Sequence, residues 1–261
     1  MERLDRSRKH RSERSFTPDN NEPAGDKPQY ALTAEGDAVI RCDIERMLNR
    51  LFQRDAGWSL PAVGRREEIM NALLGSLIRP SETVLVPVYG PRGRSIADLC
   101  ERLGADPVVL EMAEADGFDL AGLENELRRR RPVLVAISHG EPLSGMSRSM
   151  EKIGSLCQEL DILFVADCTA TFGSTLVQAE KWHLDAAIGA PISRMVIPVS
   201  YNERALARMR HRSNVELPFL RMIDDWNSLL RENEEAGRLV LRKLRDRLAI
   251  MIGRVDGDEA I

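Results

Sequence analysis

The sequence lacks any long apolar run. No stretch approaches the roughly 20 consecutive apolar residues that a membrane-spanning helix needs, and the first residues are charged rather than arranged as a signal peptide. We therefore expect a soluble protein of the cytoplasm that has no membrane partner.

Cysteine is scarce and scattered. The four cysteines are Cys42, Cys100, Cys157 and Cys168, and no two of them stand in a CxxC pair or at a spacing typical of metal ligands. This pattern favours buried, reduced thiols over disulfides or zinc ligands. The sequence thus predicts no metal centre.

An excess of positive charge is also missing. The formal net charge is −4, so the chain as a whole has no electrostatic footprint for nucleic acid, and we expect no nucleic-acid partner. The one basic cluster lies in residues 1–35, where acidic residues are interspersed among the arginines. A polar segment of this kind is typical of a disordered tail, with an RNA- or lipid-binding arm as the alternative.

Apolar residues make up 43% of the chain, enough for one sizeable core. After the tail, uniformly apolar runs alternate with stretches of helical periodicity. Strands this apolar are buried on both faces, and helical crossovers between them imply a mostly parallel sheet in a three-layer α/β domain. We expect this domain over residues 36–212 and a helical segment over 213–261. The predicted strands are 83–88, 107–112, 132–138, 162–167, 185–189 and 194–200.

The loops that follow these strands carry the most distinctive residues, and such sheets bind ligands at the carboxyl ends of their strands. The loop sequences are GPRGRSIADLCERLGA (90–105), SHGEPLSGM (138–146), CTATFGS (168–174) and WHLDAAIGA (182–190). In this order they resemble the class V aminotransferases of the alanine–glyoxylate and serine–pyruvate type. The resemblance covers residues 40–212 and implies the large domain of the pyridoxal-phosphate (PLP) fold type I, with 213–261 as the remnant of a truncated small domain.

The resemblance also implies a cofactor site. In the family an aspartate at the position of Asp167 pairs with the pyridine nitrogen of PLP, so that the ring acts as an electron sink. The same likeness places His139, Glu141, Ser144 and Thr169 beside the cofactor. Two simpler interpretations stay open: Asp167 could cap the turn that follows it, and Glu141 could bind backbone amides or an arginine.

The chain departs from the family pattern at several places, among them the Schiff-base position and the phosphate turn. Ile192 stands where the family has the lysine that forms the Schiff base, and isoleucine cannot form an imine. The family's glycine-rich phosphate turn aligns with residues 64–67, where the acid Glu67 opposes a phosphate, although Arg65 and Arg66 could hold another anion.

These departures favour a non-catalytic subunit that pairs with an active class V aminotransferase or forms a homodimer. No cofactor is expected, although PLP or pyridoxamine phosphate could bind without a covalent link. The alternatives are an enzyme with lysine-independent chemistry on a small amino or keto acid, and a binding module of another kind. We also expect the apolar faces of the first helix (44–52) and of the terminal helical stretch (219–252) to need a partner.

Overall fold

The computed structural model describes residues 34–112, 119–140, 146–211, 218–228 and 234–258. A single seven-stranded sheet forms the middle layer, with strand order β1-β7-β6-β5-β4-β2-β3. The five strands from β6 to β3 are parallel, whereas β7 pairs antiparallel with both β6 and β1. The strands are β1 (Trp58–Val63), β2 (Thr83–Val88), β3 (Asp106–Glu111), β4 (Leu134–Ser138), β5 (Leu163–Asp167), β6 (Ala186–Ile188) and β7 (Val196–Tyr201).

Helices connect the strands and cover the sheet. A parallel pair needs a crossover, and helices supply the connections from β2 to β3, β3 to β4 and β4 to β5. The helices are α1 (Ala34–Phe52), α2 (Arg66–Leu77), α3 (Pro91–Arg102), α4 (Leu120–Arg130), α5 (Met146–Glu159), α6 (Glu203–Arg210), α7 (Pro218–Ser228) and α8 (Glu234–Asp258). Within the described residues, none of them is long and apolar enough to cross a membrane.

The sheet confirms the predicted α/β class and the mostly parallel order. All six predicted strands are present, and β4 and β5 are buried along their whole length. The sequence did not predict β1, which lies at the sheet edge and contains Pro61. This proline faces Pro198 of β7 across the antiparallel pair. Proline lacks the N–H that a strand interior needs, so it argues against a strand when read from sequence.

The carboxyl-terminal part differs from the expected single helical stretch. It forms α7, which packs against α2 and β1, and α8, which packs along α1. The apolar residues Ile44 and Leu48 of α1 are buried, as are Leu244 and Leu248 of α8. Part of each face that we expected to need a partner is therefore covered within the chain, whereas Leu239, Val240 and Ile250 of α8 remain exposed.

Candidate functional site

The candidate site lies where β4, β5 and β6 end, beside the first turn of α2. Asp167 is the last residue of β5 and pairs in register with Ser138 of β4 and Ile188 of β6. We call the group of Arg66, His139, Asp167, Thr169 and Ile192 the strand-end site.

Asp167 accepts four hydrogen bonds from this chain. Its Oδ1 accepts from the backbone N–H of Thr169 at 3.0 Å and from the Thr169 hydroxyl at 2.7 Å. Its Oδ2 accepts from Nε of Arg66 at 2.9 Å and also from Nη2 of the same guanidinium. A carboxylate offers about four lone-pair sites, so these donors saturate a side chain that is itself fully buried.

The first turn of α2 holds two carboxylates. Glu68 Oε2 accepts from the backbone N–H of Arg65 at 2.9 Å, which is the glutamate half of a capping box, and Glu68 Oε1 binds the Arg65 guanidinium. Glu67 Oε1 lies 3.6 Å from Nη1 of Arg66. The helix terminus, which favours anions in general, is thus supplied with anions by the chain itself.

His139 lies in the same loop layer and has partners of its own. Its Nδ1 is 2.7 Å from the Thr171 hydroxyl, and its ring packs at 4.9 Å from that of Trp182. Burial lowers the pKa of His139, because the charged imidazolium loses its hydration. Gly140, which follows it, has φ +95°, and a Cβ there would lie 2.1 Å from Cγ2 of Thr171. Only glycine lets the loop turn so closely under this threonine.

Ile192 is buried in the short connection between β6 and β7. Its N–H donates to the carbonyl of Val196 at 2.9 Å, and its own carbonyl accepts from Nη1 of Arg247 at 2.8 Å. Arg247 belongs to α8, and Met251 of the same helix lies against Gly173 in the loop after β5. The terminal helix therefore contacts two loops next to the strand-end site.

Comparison with known proteins identifies the family. Residues 67–190 match the model of the class V aminotransferases. This part of the chain carries the sequence pattern of the class V aminotransferase family. The (S)-ureidoglycine–glyoxylate transaminase of Bacillus subtilis is 34% identical over 175 residues, which are 65% of this chain and 42% of that protein. The alanine–glyoxylate aminotransferase of Rattus norvegicus is 23% identical over 185 residues, 69% of this chain and 45% of that protein.

Solved structures agree with the class V assignment. The ureidoglycine–glyoxylate aminotransferase of Bacillus subtilis superposes with a TM-score of 0.74 at 28% identity, over 86% of this chain and 62% of that one. The alanine–glyoxylate aminotransferase of Nostoc sp. gives 0.68 at 21% identity, over 84% and 60%, and shows the fold alone. These neighbours have the PLP fold type I. The chain spans less than half the length of the curated relatives named above.

A class V site would present Asp167 to the ring nitrogen of PLP. In this chain Arg66 and Thr169 already fill the acceptor positions of that carboxylate, and Glu67 and Glu68 stand at the helix terminus that would face the phosphate. Among the described residues, the lysines are on the surface: Lys181 pairs with Glu151 at 3.2 Å, and Lys152 and Lys243 are exposed on α5 and α8. The residues in this arrangement do not fit the ring nitrogen or the phosphate of the cofactor.

The sequence-predicted site residues have different outcomes. Asp167 and Thr169 lie together, and the capping interpretation of Asp167 is correct, because Thr169 closes the turn after β5. Glu141 and Ser144 lie outside the described residues. The sequence reading offered Arg66 as a holder of some anion but did not connect it to Asp167, which is 101 residues away in the chain.

Cys168 follows Asp167 and has no free solvent access. Burial raises the pKa of its thiol, and the adjacent negative charge of Asp167 raises it further. The thiolate is the reactive form of cysteine, so this residue is not set up as a nucleophile.

Proposed function

We propose that this chain is a class V aminotransferase-like protein without the Schiff-base lysine, and that it acts as a non-catalytic subunit of an active class V aminotransferase. The matched region gives it the family's large-domain fold. The observation that carries the proposal is the saturation of Asp167, whose acceptor positions are taken by Arg66 and Thr169. A cofactor ring would have to displace a guanidinium from a buried carboxylate, which is strongly unfavourable.

Two further features support the same conclusion. Ile192, at the position that aligns with the family's lysine, is buried and bonded through both its N–H and its carbonyl. The carboxylate of Glu68 accepts the Arg65 amide at the start of α2, where a phosphate would need free donors. The carboxylate for the ring nitrogen, the lysine for the Schiff base and the donors for the phosphate would therefore be absent together. An enzyme with altered chemistry would still need the phosphate site.

A partner subunit would find an apolar surface next to the strand-end site. Val63 and Met195 expose 45% and 44% of their surface. They are neighbours, because the N–H of Gly64 donates to the carbonyl of Met195 at 2.9 Å, and Gly64 leads directly into α2. We call Val63 and Met195 the hairpin patch and propose it as the centre of the subunit contact.

Covalent cofactor binding tests the first half of this proposal. The purified chain is incubated with PLP, reduced with borohydride and digested, and the peptides are analysed by mass spectrometry. We expect no pyridoxyl-lysine, whereas a complete class V aminotransferase treated in parallel gives a stoichiometric adduct. A stoichiometric adduct on any lysine of this chain would refute the proposal.

Affinity purification from the native host tests the second half. The tagged chain should co-purify with a full-length class V aminotransferase, and its Met195→Glu variant should not. If the chain alone transaminates alanine with glyoxylate, or an equivalent amino donor with a keto acid, the subunit role is wrong and lysine-independent enzyme chemistry takes its place.

A further inference from the structure

The buried carboxylate of Asp167 poses an electrostatic problem for this fold. Asp167 ends a strand in the middle of the sheet, between β4 and β6, and its side chain is fully buried. A carboxylate removed from water needs a partner of opposite charge or must take up a proton. In the family, the protonated ring nitrogen of the cofactor supplies that partner.

Arg66 supplies the charge in this chain. It is the first residue of α2, and its guanidinium reaches past the helix terminus to place Nε and Nη2 on one oxygen of Asp167. Glu67 approaches Nη1 of the same guanidinium at 3.6 Å. The planar fork of arginine fits a carboxylate in a way that a lysine ammonium cannot.

The neighbouring Arg65 does not contact Asp167, so the pairing with this carboxylate is specific to Arg66. Arg65 exposes 71% of its side chain and pairs with Glu68 three residues later, whereas Arg66 exposes 20% and pairs with Asp167 across the fold. Two adjacent arginines on one helix turn thus have separate acids, one at the surface and one buried in the sheet. This contrast gives a matched control for any experiment on Arg66.

We propose that Arg66 is an internal ligand of the strand-end site, which replaces the positively charged ring nitrogen of the family's cofactor and keeps the folded domain independent of any cofactor. The inference rests on the proposed function in that it takes the site to hold no PLP. The stability that Arg66 gives to the buried carboxylate of Asp167 can be measured without any cofactor or partner.

Removal of the guanidinium should leave a site for other planar cations that carry N–H groups. In Arg66→Ala the Oδ2 of Asp167 loses both of its donors. We expect Tm to fall by about 10 °C, because a buried charge is left without its partner. Arg65→Ala, which breaks an exposed pair, should lower Tm by less than about 3 °C.

Chemical rescue decides whether Arg66 acts as a ligand or only as a packed side chain. Methylguanidinium at millimolar concentration should raise the Tm of Arg66→Ala and leave those of the wild type and Arg65→Ala unchanged. Pyridoxine, which has the cofactor's ring nitrogen but neither the aldehyde nor the phosphate, should act in the same direction. Tetramethylammonium has a charge but no N–H donor and should have no effect.

The double variant Arg66→Met/Asp167→Asn removes both charges and serves as the second test. It should be more stable than Arg66→Ala, because no unpaired charge remains in the core, and it should show no rescue by methylguanidinium. This variant also decides the matter if Arg66→Ala does not fold, since a stable double variant shows that the unpaired carboxylate was the cause.

Equal losses of Tm in Arg65→Ala and Arg66→Ala would overturn the proposal, and so would a loss in Arg66→Ala that no N–H cation reverses. These measurements contain no PLP and no partner. A covalent adduct in the wild type would therefore refute the proposed function, whereas absent rescue would refute only the internal ligand.

Discussion

Asp185 is a second carboxylate that this fold buries completely, and it is satisfied differently from Asp167. Its Oδ2 accepts from the backbone N–H of Phe164 at 2.8 Å, and its Oδ1 accepts from Nδ2 of Asn202 at 2.9 Å. Nη1 of Arg204 lies 3.1 Å from Oδ1. The bond to Phe164 joins the residue before β6 directly to β5 and adds to the backbone pairing of these two strands.

Replacement of this charge is expected to be costly. Asp185→Asn removes the negative charge and leaves Arg204 without its buried partner, so we expect the free energy of unfolding to fall by about 3 kcal/mol. Asp161 binds the same arginine at 3.0 Å but exposes 96% of its side chain, and Asp161→Asn should cost less than about 1 kcal/mol. Urea denaturation of the two variants compares them directly, and equal losses would contradict the assignment.

His139 should make stability depend on pH. Its pKa is lowered by burial in the folded chain, so the unfolded chain takes up the proton first as the pH falls below about 6.5. Stability should therefore be constant above this pH and decrease from there down to the folded pKa. His139→Gln should flatten this part of the curve, whereas His211→Gln, at an exposed position, should not. Urea unfolding at successive pH values measures this dependence. If the free energy of unfolding of His139→Gln falls with pH in the same way as that of the wild type, this interpretation is contradicted.

Under the proposed function, a lysine at position 192 should not by itself produce an enzyme. In Ile192→Lys, Asp167 stays saturated by Arg66 and Thr169, and Glu67 and Glu68 remain in the first turn of α2. We expect no transamination of alanine with glyoxylate by this variant, because groups that act as a unit give non-additive effects. The combined variant Arg66→Ala/Ile192→Lys is the comparison. Turnover by Ile192→Lys alone at rates typical of an enzyme would show that the site is largely intact.

Among the helices and strands, the sequence predicted the bounds best where a segment is a continuous apolar run. The limits of β2 and β5 were predicted within one residue, because both strands are runs of buried apolar side chains. α3 begins at Pro91, five residues before Ile96, which is its first large buried apolar residue. Its amphipathic pattern begins at the first inward apolar residue, whereas proline is well suited to the first helical position and marks the real start.

Two glycines within helices show what element patterns cannot reveal. Gly154 lies in α5, and a Cβ there would be 1.8 Å from the carbonyl oxygen of Trp182. Gly253 lies in α8 with no atom within 4 Å of its Cβ position. From sequence alone each is an interior glycine that costs about 1 kcal/mol relative to alanine.

Alanine at these two positions should have opposite effects. Gly253→Ala should raise the free energy of unfolding by about 0.5–1 kcal/mol, because alanine loses less conformational freedom on folding. Gly154→Ala should lower it by more than about 2 kcal/mol, because the clash is with backbone that cannot move without displacing the loop before β6. Thermal denaturation of both variants is the test. A stabilised Gly154→Ala would mean that α5 and the Trp182 segment are not in contact.

Across the whole molecule, the site was only partly readable from sequence because its members are distant in the chain. Asp167 and Thr169 form a local turn, which a strand end followed by a threonine already predicts. The Arg66–Asp167 pair depends on where α2 meets the sheet, and no local pattern encodes that. The same holds for α8, which links to α1 through Arg50 and Asp256 at 2.8 Å and to Ile192 through Arg247. The terminal helix is therefore packed as part of the domain.

The exposed apolar residues of the hairpin patch bear on how the chain assembles. The contact between α1 and α8 covers part of the surface first expected to need a partner, and the hairpin patch is exposed beside the strand-end site. We expect the chain, 29.3 kDa as a monomer, to associate through this patch with a class V subunit, or with itself when alone. A few residues near the centre of an interface carry most of its binding energy.

Light scattering at micromolar concentration tests this expectation. The wild type should give the mass of a dimer, and Met195→Glu should raise the dissociation constant by about 30-fold or more, because a charge is forced into the centre of the contact. Ile250→Glu is the control: Ile250 is apolar and exposes 59% of its surface, but it belongs to α8 and not to the hairpin patch. Equal effects of the two substitutions would show that the contact lies elsewhere. A monodisperse, thermally robust monomer, with no aminotransferase co-purifying from the native host, would refute partnership altogether.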